Sequence, residues 1–152
     1  MQYLTPQLTK DVIGRLKTFE NELCDVFHRY GYDLRDNLGR RNQLVSQAQE
    51  KEFARSLREV YNEVIEDGAP GKPDIYIVDI DKELECKLSS GTGKNKTKSF
   101  SLQTDWATLK KKGKLDYLFV LTTPDFEKFC VLFFKELTTD DFYPPASGSV
   151  PS

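Results

Sequence analysis

Residues 71–88 read GKPDIYIVDIDKELECKL. Upstream of this stretch apolar residues recur every three or four positions, whereas here β-branched and aromatic residues run together and then alternate with charges. IYIVDI (75–80) and ELECKL (83–88) are therefore predicted as antiparallel strands joined at Asp81-Lys82. A two-residue turn pairs Ile80 with Glu83, Val78 with Glu85, Tyr76 with Lys87 and Asp74 with Ser89. Side chains alternate along a strand, so Ile75, Ile77, Leu84, Cys86 and Leu88 share an apolar face suited to lie beneath helices. Asp74, Glu85 and Lys87 share the other face, Asp74 and Lys87 as diagonal neighbours roughly 7–8 Å apart at the backbone.

Before the hairpin the pattern is helical. Thr5-Pro6 supplies a hydroxyl cap and a proline for the first turn, and Leu8, Val12, Leu16, Phe19, Leu23, Val26 and Tyr30 keep a helical period. A helix to about Tyr30, ended by Gly31, is expected. YDLRDNLGRR (32–41) reads equally as a short strand or a loop. A second helix over about 42–66 places Phe53, Leu57, Val60, Tyr61 and Val64 on one face and stops at the breakers in DGAPGKP (67–73).

Beyond the hairpin, SSGTGKNKTKS (89–99) is a polar loop, LQTDWATLKKKG (102–113) a short helix, and LDYLFVLTT (115–123) and FCVLFFKEL (129–137) strands. The order of elements predicts an α/β or α+β fold, a mixed central β-sheet flanked by helices, in a single domain over residues 1–140. Residues 141–152 are expected as a flexible C-terminal tail or a linker.

Composition narrows the function without choosing it. A chain of 152 residues with 38% hydrophobic and 30% charged residues has room for one buried core and so, by expectation, one site. No apolar run reaches the ~18 residues of a membrane span and the N-terminus lacks a signal-peptide pattern, so a cytoplasmic protein without a membrane partner is expected. Three widely spaced cysteines, Cys24, Cys86 and Cys130, form no zinc pattern and read as reduced, packed thiols. The single histidine, His28, sits on a helix surface and argues against imidazole chemistry. The net charge of −2 conceals a basic segment: Lys94, Lys96, Lys98, Lys110, Lys111, Lys112 and Lys114 against Asp105 alone. Such a segment in an acidic chain implies a local contact with a polyanion.

Two carboxylates on one strand face repel each other and need a cation to stay ionised. Mg2+ takes hard oxygen ligands, commonly one or two carboxylates with water and substrate phosphate, so Asp74 and Glu85 suit it. Lys87, one pleat from Glu85, is placed to orient or deprotonate an attacking water or to stabilise a pentavalent phosphorus.

Pro73-Asp74, ten residues, then Glu85-Cys86-Lys87 resembles the signature of the PD-(D/E)XK nuclease superfamily, loosely over residues 50–121. Restriction endonucleases, Holliday junction resolvases and VRR-NUC nucleases belong to it. The resemblance implies a restriction endonuclease-like core and Mg2+-dependent hydrolysis of phosphodiesters, with Mn2+ as a substitute metal and no small-molecule cofactor. It implies Asp74 and Glu85 as metal ligands, the backbone carbonyl of Cys86 as a further ligand, and Lys87 as the catalytic lysine. Many members add an acid from an upstream helix. Glu20 and Glu50 both lie near apolar stripes, and the sequence does not choose between them.

Lys94, Lys96 and Lys98, in the loop leaving the catalytic strand, are expected to contact DNA beside the cut. Gln103 and Trp106 partly match the pattern that follows the motif in some members, Gln103 to orient phosphate or the catalytic lysine, or else as a plain exposed glutamine, and Trp106 as core. The lysines at 110–112 and 114 suit either distant backbone phosphates or the negative end of a helix dipole. Arg40 and Arg41 are places to look for base contacts. The leading expectation is a type II restriction-type endonuclease acting on duplex DNA as a homodimer. A Holliday junction resolvase or a phage or repair nuclease is the next reading, and a catalytically inactive DNA-binding domain the alternative of a different class.

Overall fold

The structure, a computed structural model, describes residues 2–91 and 104–145. The expectations for Lys94, Lys96, Lys98 and Gln103 lie outside the described residues.

Helix α1 (Pro6–Arg29) begins as its sequence dictates: Thr5 accepts from the Leu8 N–H at 3.1 Å, and Pro6 fills a first-turn position that needs no donor. It ends at Tyr30, followed by Gly31 at φ +82°. The ambiguous YDLRDNLGRR is neither strand nor plain loop. Asp33 accepts from Arg35 N–H at 3.0 Å and starts a 3-10 turn over Leu34–Asp36, and Asn37 accepts from Arg40 N–H at 3.1 Å and starts α2 (Leu38–Leu57). Short polar side chains that bond to nearby amides favour such helix entries.

Helix α2 stops at Leu57, short of the expected residue 66. Val60 is 69% exposed, not on a buried helical stripe, and Val64 is buried in a strand instead. The strand end captures this segment: the Asn62 and Glu63 amides both donate to the Asp79 carboxylate at 2.9 Å, and Arg58 closes the turn onto the Val64 carbonyl at 3.1 Å.

Five strands follow, β1 (Val64–Ile65), β2 (Ile75–Ile77), β3 (Lys82–Ser90), β4 (Leu115–Thr122) and β5 (Phe129–Leu137). They form one sheet in the order β1-β2-β3-β4-β5, with β3 and β4 parallel and the other neighbours antiparallel. The mixed sheet flanked by helices is thus as expected. The parallel pair needs a crossover, and helix α3 (Trp106–Lys112) lies in that connection, capped by Asp105 and closed by Gly113 at φ +86°.

An apolar cluster packs on each side of the sheet. Ile75, Ile77, Leu84, Cys86, Leu118 and Val120 pack with Val12, Leu16, Val45, Phe53 and Leu57 from α1 and α2, which bears out the apolar side of the hairpin. Leu115, Tyr117, Phe119 and Leu121 pack with Leu109 of α3 on the other side. The start of the expected tail is docked: Thr138 and Asp141 form a capping box, and the Phe142 ring lies 5.7 Å from that of Tyr117. Of the cysteines, all free, Cys86 is buried and Cys24 half-buried, but Cys130 is exposed and so is not a packed thiol.

The hairpin register needs correction. Tyr76 pairs with Glu83 and Ile77 with Lys82, and residues 78–81 form the connection, a 3-10 turn over Val78–Ile80 followed by Asp81 at φ +51°. Asp79 is occupied with the 62–63 amides and Val78 N–H with the Glu63 carbonyl at 3.0 Å, so VDI bends toward β1 instead of extending β2. Continued one step past the paired residues, the register sets Asp74 across from Glu85 rather than Ser89. A four-residue shift is even, so the side chains that remain in the strands keep their expected faces.

Candidate active site

Asp74 lies just before β2 and Glu85 and Lys87 project from β3, on the face shared with Tyr117 and Phe119 of β4, their parallel partners. Those two rings stack nearly parallel, 8° apart in plane and 5.7 Å between centroids, and form an apolar floor beside the acids. The Asp74 carboxylate accepts the Cys86 N–H through Oδ2 at 2.8 Å, which locks it against the strand that carries Glu85. Burial, then the charge of Asp74, pushes the Glu85 carboxyl up to about 7, and Lys87 offsets this only in part. The two carboxyl groups are close enough to share a hydrogen bond.

Of the two helix acids, the structure separates what the sequence left open. Glu50 on α2 faces the site: burial and then the Asp74 charge raise its carboxyl to about 7, and Lys87 is among the charges that act on it. Glu20 is elsewhere and already paired. Arg35 grips both of its oxygens at 2.8 Å, and Arg41 adds a contact at 3.5 Å. Burial opposes ionisation of Glu20, but bonds from Arg35 and Cys24 and the charges of both arginines hold its carboxyl below the usual value. Glu20 is therefore a structural anion.

Arg41 is likewise unavailable for base contacts. Wholly buried, it donates to Asn42 Oδ1, the Pro124 carbonyl and Ser90 Oγ at 2.8–2.9 Å and lies 4.9 Å from the centre of the Phe126 ring. Arg40 is exposed. Lys112 is bound by Glu83, at 2.8 and 2.9 Å, and Lys114 by Glu136 at 3.2 Å, whereas Lys110 and Lys111 are exposed. Trp106 is half-buried instead of core, and His28 is exposed as expected.

Sequence reasoning missed Gln49, which is fully buried on α2 and donates to the Lys87 carbonyl at 3.3 Å, fixing the backbone beneath the lysine. Its signal was present: Arg41, Val45, Gln49 and Phe53 recur every four residues, and a glutamine in an apolar stripe needs a partner.

The donor chemistry fits a hard divalent cation. The adjoining carboxylates of Asp74 and Glu85 are hard oxygen donors. Among the described residues no three His, Cys, Asp or Glu side chains enclose a single point. A site of this kind matches Mg2+, which keeps several waters and needs one or two carboxylates. No family model, curated protein or solved structure matches the chain.

Proposed function

We propose that the chain is a Mg2+-dependent DNA endonuclease of the PD-(D/E)XK kind. The observation that supports this reading most strongly is the meeting of Asp74 with Glu85 across the hairpin, with Lys87 one pleat further on the same face. Asp74, Glu85 and the Cys86 carbonyl would hold the ion, Mn2+ serving as a substitute, and Glu50 would stand behind them. When bound, the cation supplies charge neutralisation at the phosphoryl group and a more acidic water.

The chain's own groups do the rest. Asp74, held by the Cys86 amide, is kept against the strand that carries Glu85. Lys87, its backbone fixed by Gln49, presents an ammonium to the scissile phosphate, where it orients the attacking water and stabilises charge as the P–O bond breaks. The Tyr117–Phe119 floor lowers the local dielectric and strengthens both effects. Exposed Lys110 and Lys111 add phosphate contacts that carry no sequence information.

Within this class a restriction-type enzyme is the preferred reading, a homodimer cutting both strands with one site per chain. Relaxation of supercoiled plasmid in Mg2+ tests the activity. Wild type is expected to nick, while Asp74→Ala loses cleavage yet binds DNA in Ca2+. Equal cleavage by Asp74→Ala rejects the site. Defined cuts in linear duplex support the restriction reading, and preference for four-way junctions supports a resolvase.

A further inference from the structure

Beside the acids lies a cavity of about 370 Å3, within the range of small-ligand pockets. Pro73, the neighbour of Asp74, and Tyr76, two residues beyond it on the same strand face, line it, as does Glu83, the cross-strand partner of Tyr76. The cavity is thus one pleat step, about 7 Å, from the Asp74–Glu85 pair. Asp67 and Glu83 balance Lys72 and Lys112 in its walls, and Lys112 is already held by Glu83 at 2.8 Å. A pocket with no net charge does not select a phosphate. It suits a flat, uncharged, hydrogen-bonding group, with an aromatic residue and a proline as apolar walls.

We propose that this cavity takes one unstacked nucleobase next to the scissile phosphate, and that Glu83 selects bases bearing an exocyclic amine, with cytosine as the test case. The inference rests on the nuclease reading of the neighbouring acids. Glu83 receives the Lys112 ammonium on both oxygens, yet a carboxylate has about four acceptor positions and retains capacity for an amine donor. Carboxylates accept from cytosine N4 in the same manner. Tyr76 gives the base an aromatic neighbour, and its hydroxyl is tethered to Asp81 at 2.8 Å, so the ring is held in place before any ligand arrives.

Binding of labelled oligo-dC and oligo-dT of equal length, with Ca2+ in place of Mg2+, tests the pocket in the full chain. Wild type is expected to favour oligo-dC by about tenfold, within the range for one base contact. Glu83→Gln and Tyr76→Ala should each bring that ratio toward one. Tyr76→Ala leaves the Glu83–Lys112 ion pair in place and guards against a folding defect in the other variant. Equal binding of the two oligonucleotides by wild type, or an unchanged ratio in both variants, overturns the proposal. A duplex with one mismatched cytosine identifies the source of the base: binding above the matched duplex indicates a flipped nucleotide, whereas discrimination confined to oligo-dC indicates single-stranded DNA, and both support the pocket. Discrimination without Mg2+-dependent cleavage would retain the pocket and reject the nuclease. Cleavage without discrimination would do the reverse.

Discussion

The chemistry of the site is decided by like charges brought together. Glu50 and Glu85, both raised to about 7, hold protons in the folded chain at pH values where carboxyls of ordinary value, near 4.5, have lost them on unfolding. The native state then binds more protons than the unfolded state, so stability falls as pH rises between those limits. In EDTA, the denaturant midpoint is expected to be lower at about pH 8 than at about pH 5, and Glu50→Gln should flatten the difference. The groups with lowered values, among them Glu20 and Asp79, act below this window, losing their contribution as pH falls through the acid range. A midpoint that rises from about pH 5 to about pH 8 would show that the acids are not crowded. Lys87→Ala is expected to lower single-turnover cleavage in Mg2+ by about 10²–10³, the usual loss for one charge-stabilising donor, with a smaller change in KM. A loss confined to KM would make Lys87 a binding residue only.

At the scale of elements, polar side chains buried between packed units hold the layers in register. Arg41 joins α2 to Ser90 at the end of β3 and to the turn at Pro124, and shares Glu20 with Arg35. Arg41→Ala is expected to cost about 3–5 kcal/mol in denaturant unfolding, since it leaves buried acceptors and part of a buried charge unpaired. Tyr3 donates to the buried Asp116 carboxylate at 2.5 Å, and Asp116 also accepts the Glu136 N–H at 2.8 Å where β5 bulges against β4. Tyr3→Phe should cost about 1–3 kcal/mol by the same assay, the penalty for a buried acceptor losing a donor. These ties explain what was legible in the sequence. Thr5-Pro6 and the β5 run are local signals that form as read, and the alternation of 75–77 and 83–88 assigns the strand faces as read although residues 78–80 leave the strand. The end of α2 and the 78–81 turn depend on bonds between residues 62–63 and 78–79, and the burial of Arg41 on Glu20 and Ser90, all between positions distant in sequence, so local periodicity did not contain them. Asp74, Glu85 and Lys87 kept a common face despite the changed register because two-residue periodicity assigns faces independently of turn length, provided the shift is even.

For the whole molecule, the sheet separates two tasks. Its α1/α2 side is a continuous apolar core, and its α3 side carries the acids at one end of an aromatic floor. On the proposed nuclease reading, a cation between Asp74 and Glu85 would join β2 to β3 and stabilise only the folded chain. At about 100 times its dissociation constant it should contribute about 2.7 kcal/mol, visible as a rise of several degrees in Tm that Asp74→Ala abolishes. No helix among the described residues is long and apolar enough to cross a membrane.

The most direct measurement is a titration with Mn2+ followed by electron paramagnetic resonance, comparing wild type with Asp74→Ala and Glu85→Gln. Wild type should bind the ion at one preferred site, and either substitution alone should remove that site, because the proposed centre uses the two carboxylates as a single ligand pair. Equal Mn2+ affinity in all three proteins would contradict a shared metal centre at the hairpin.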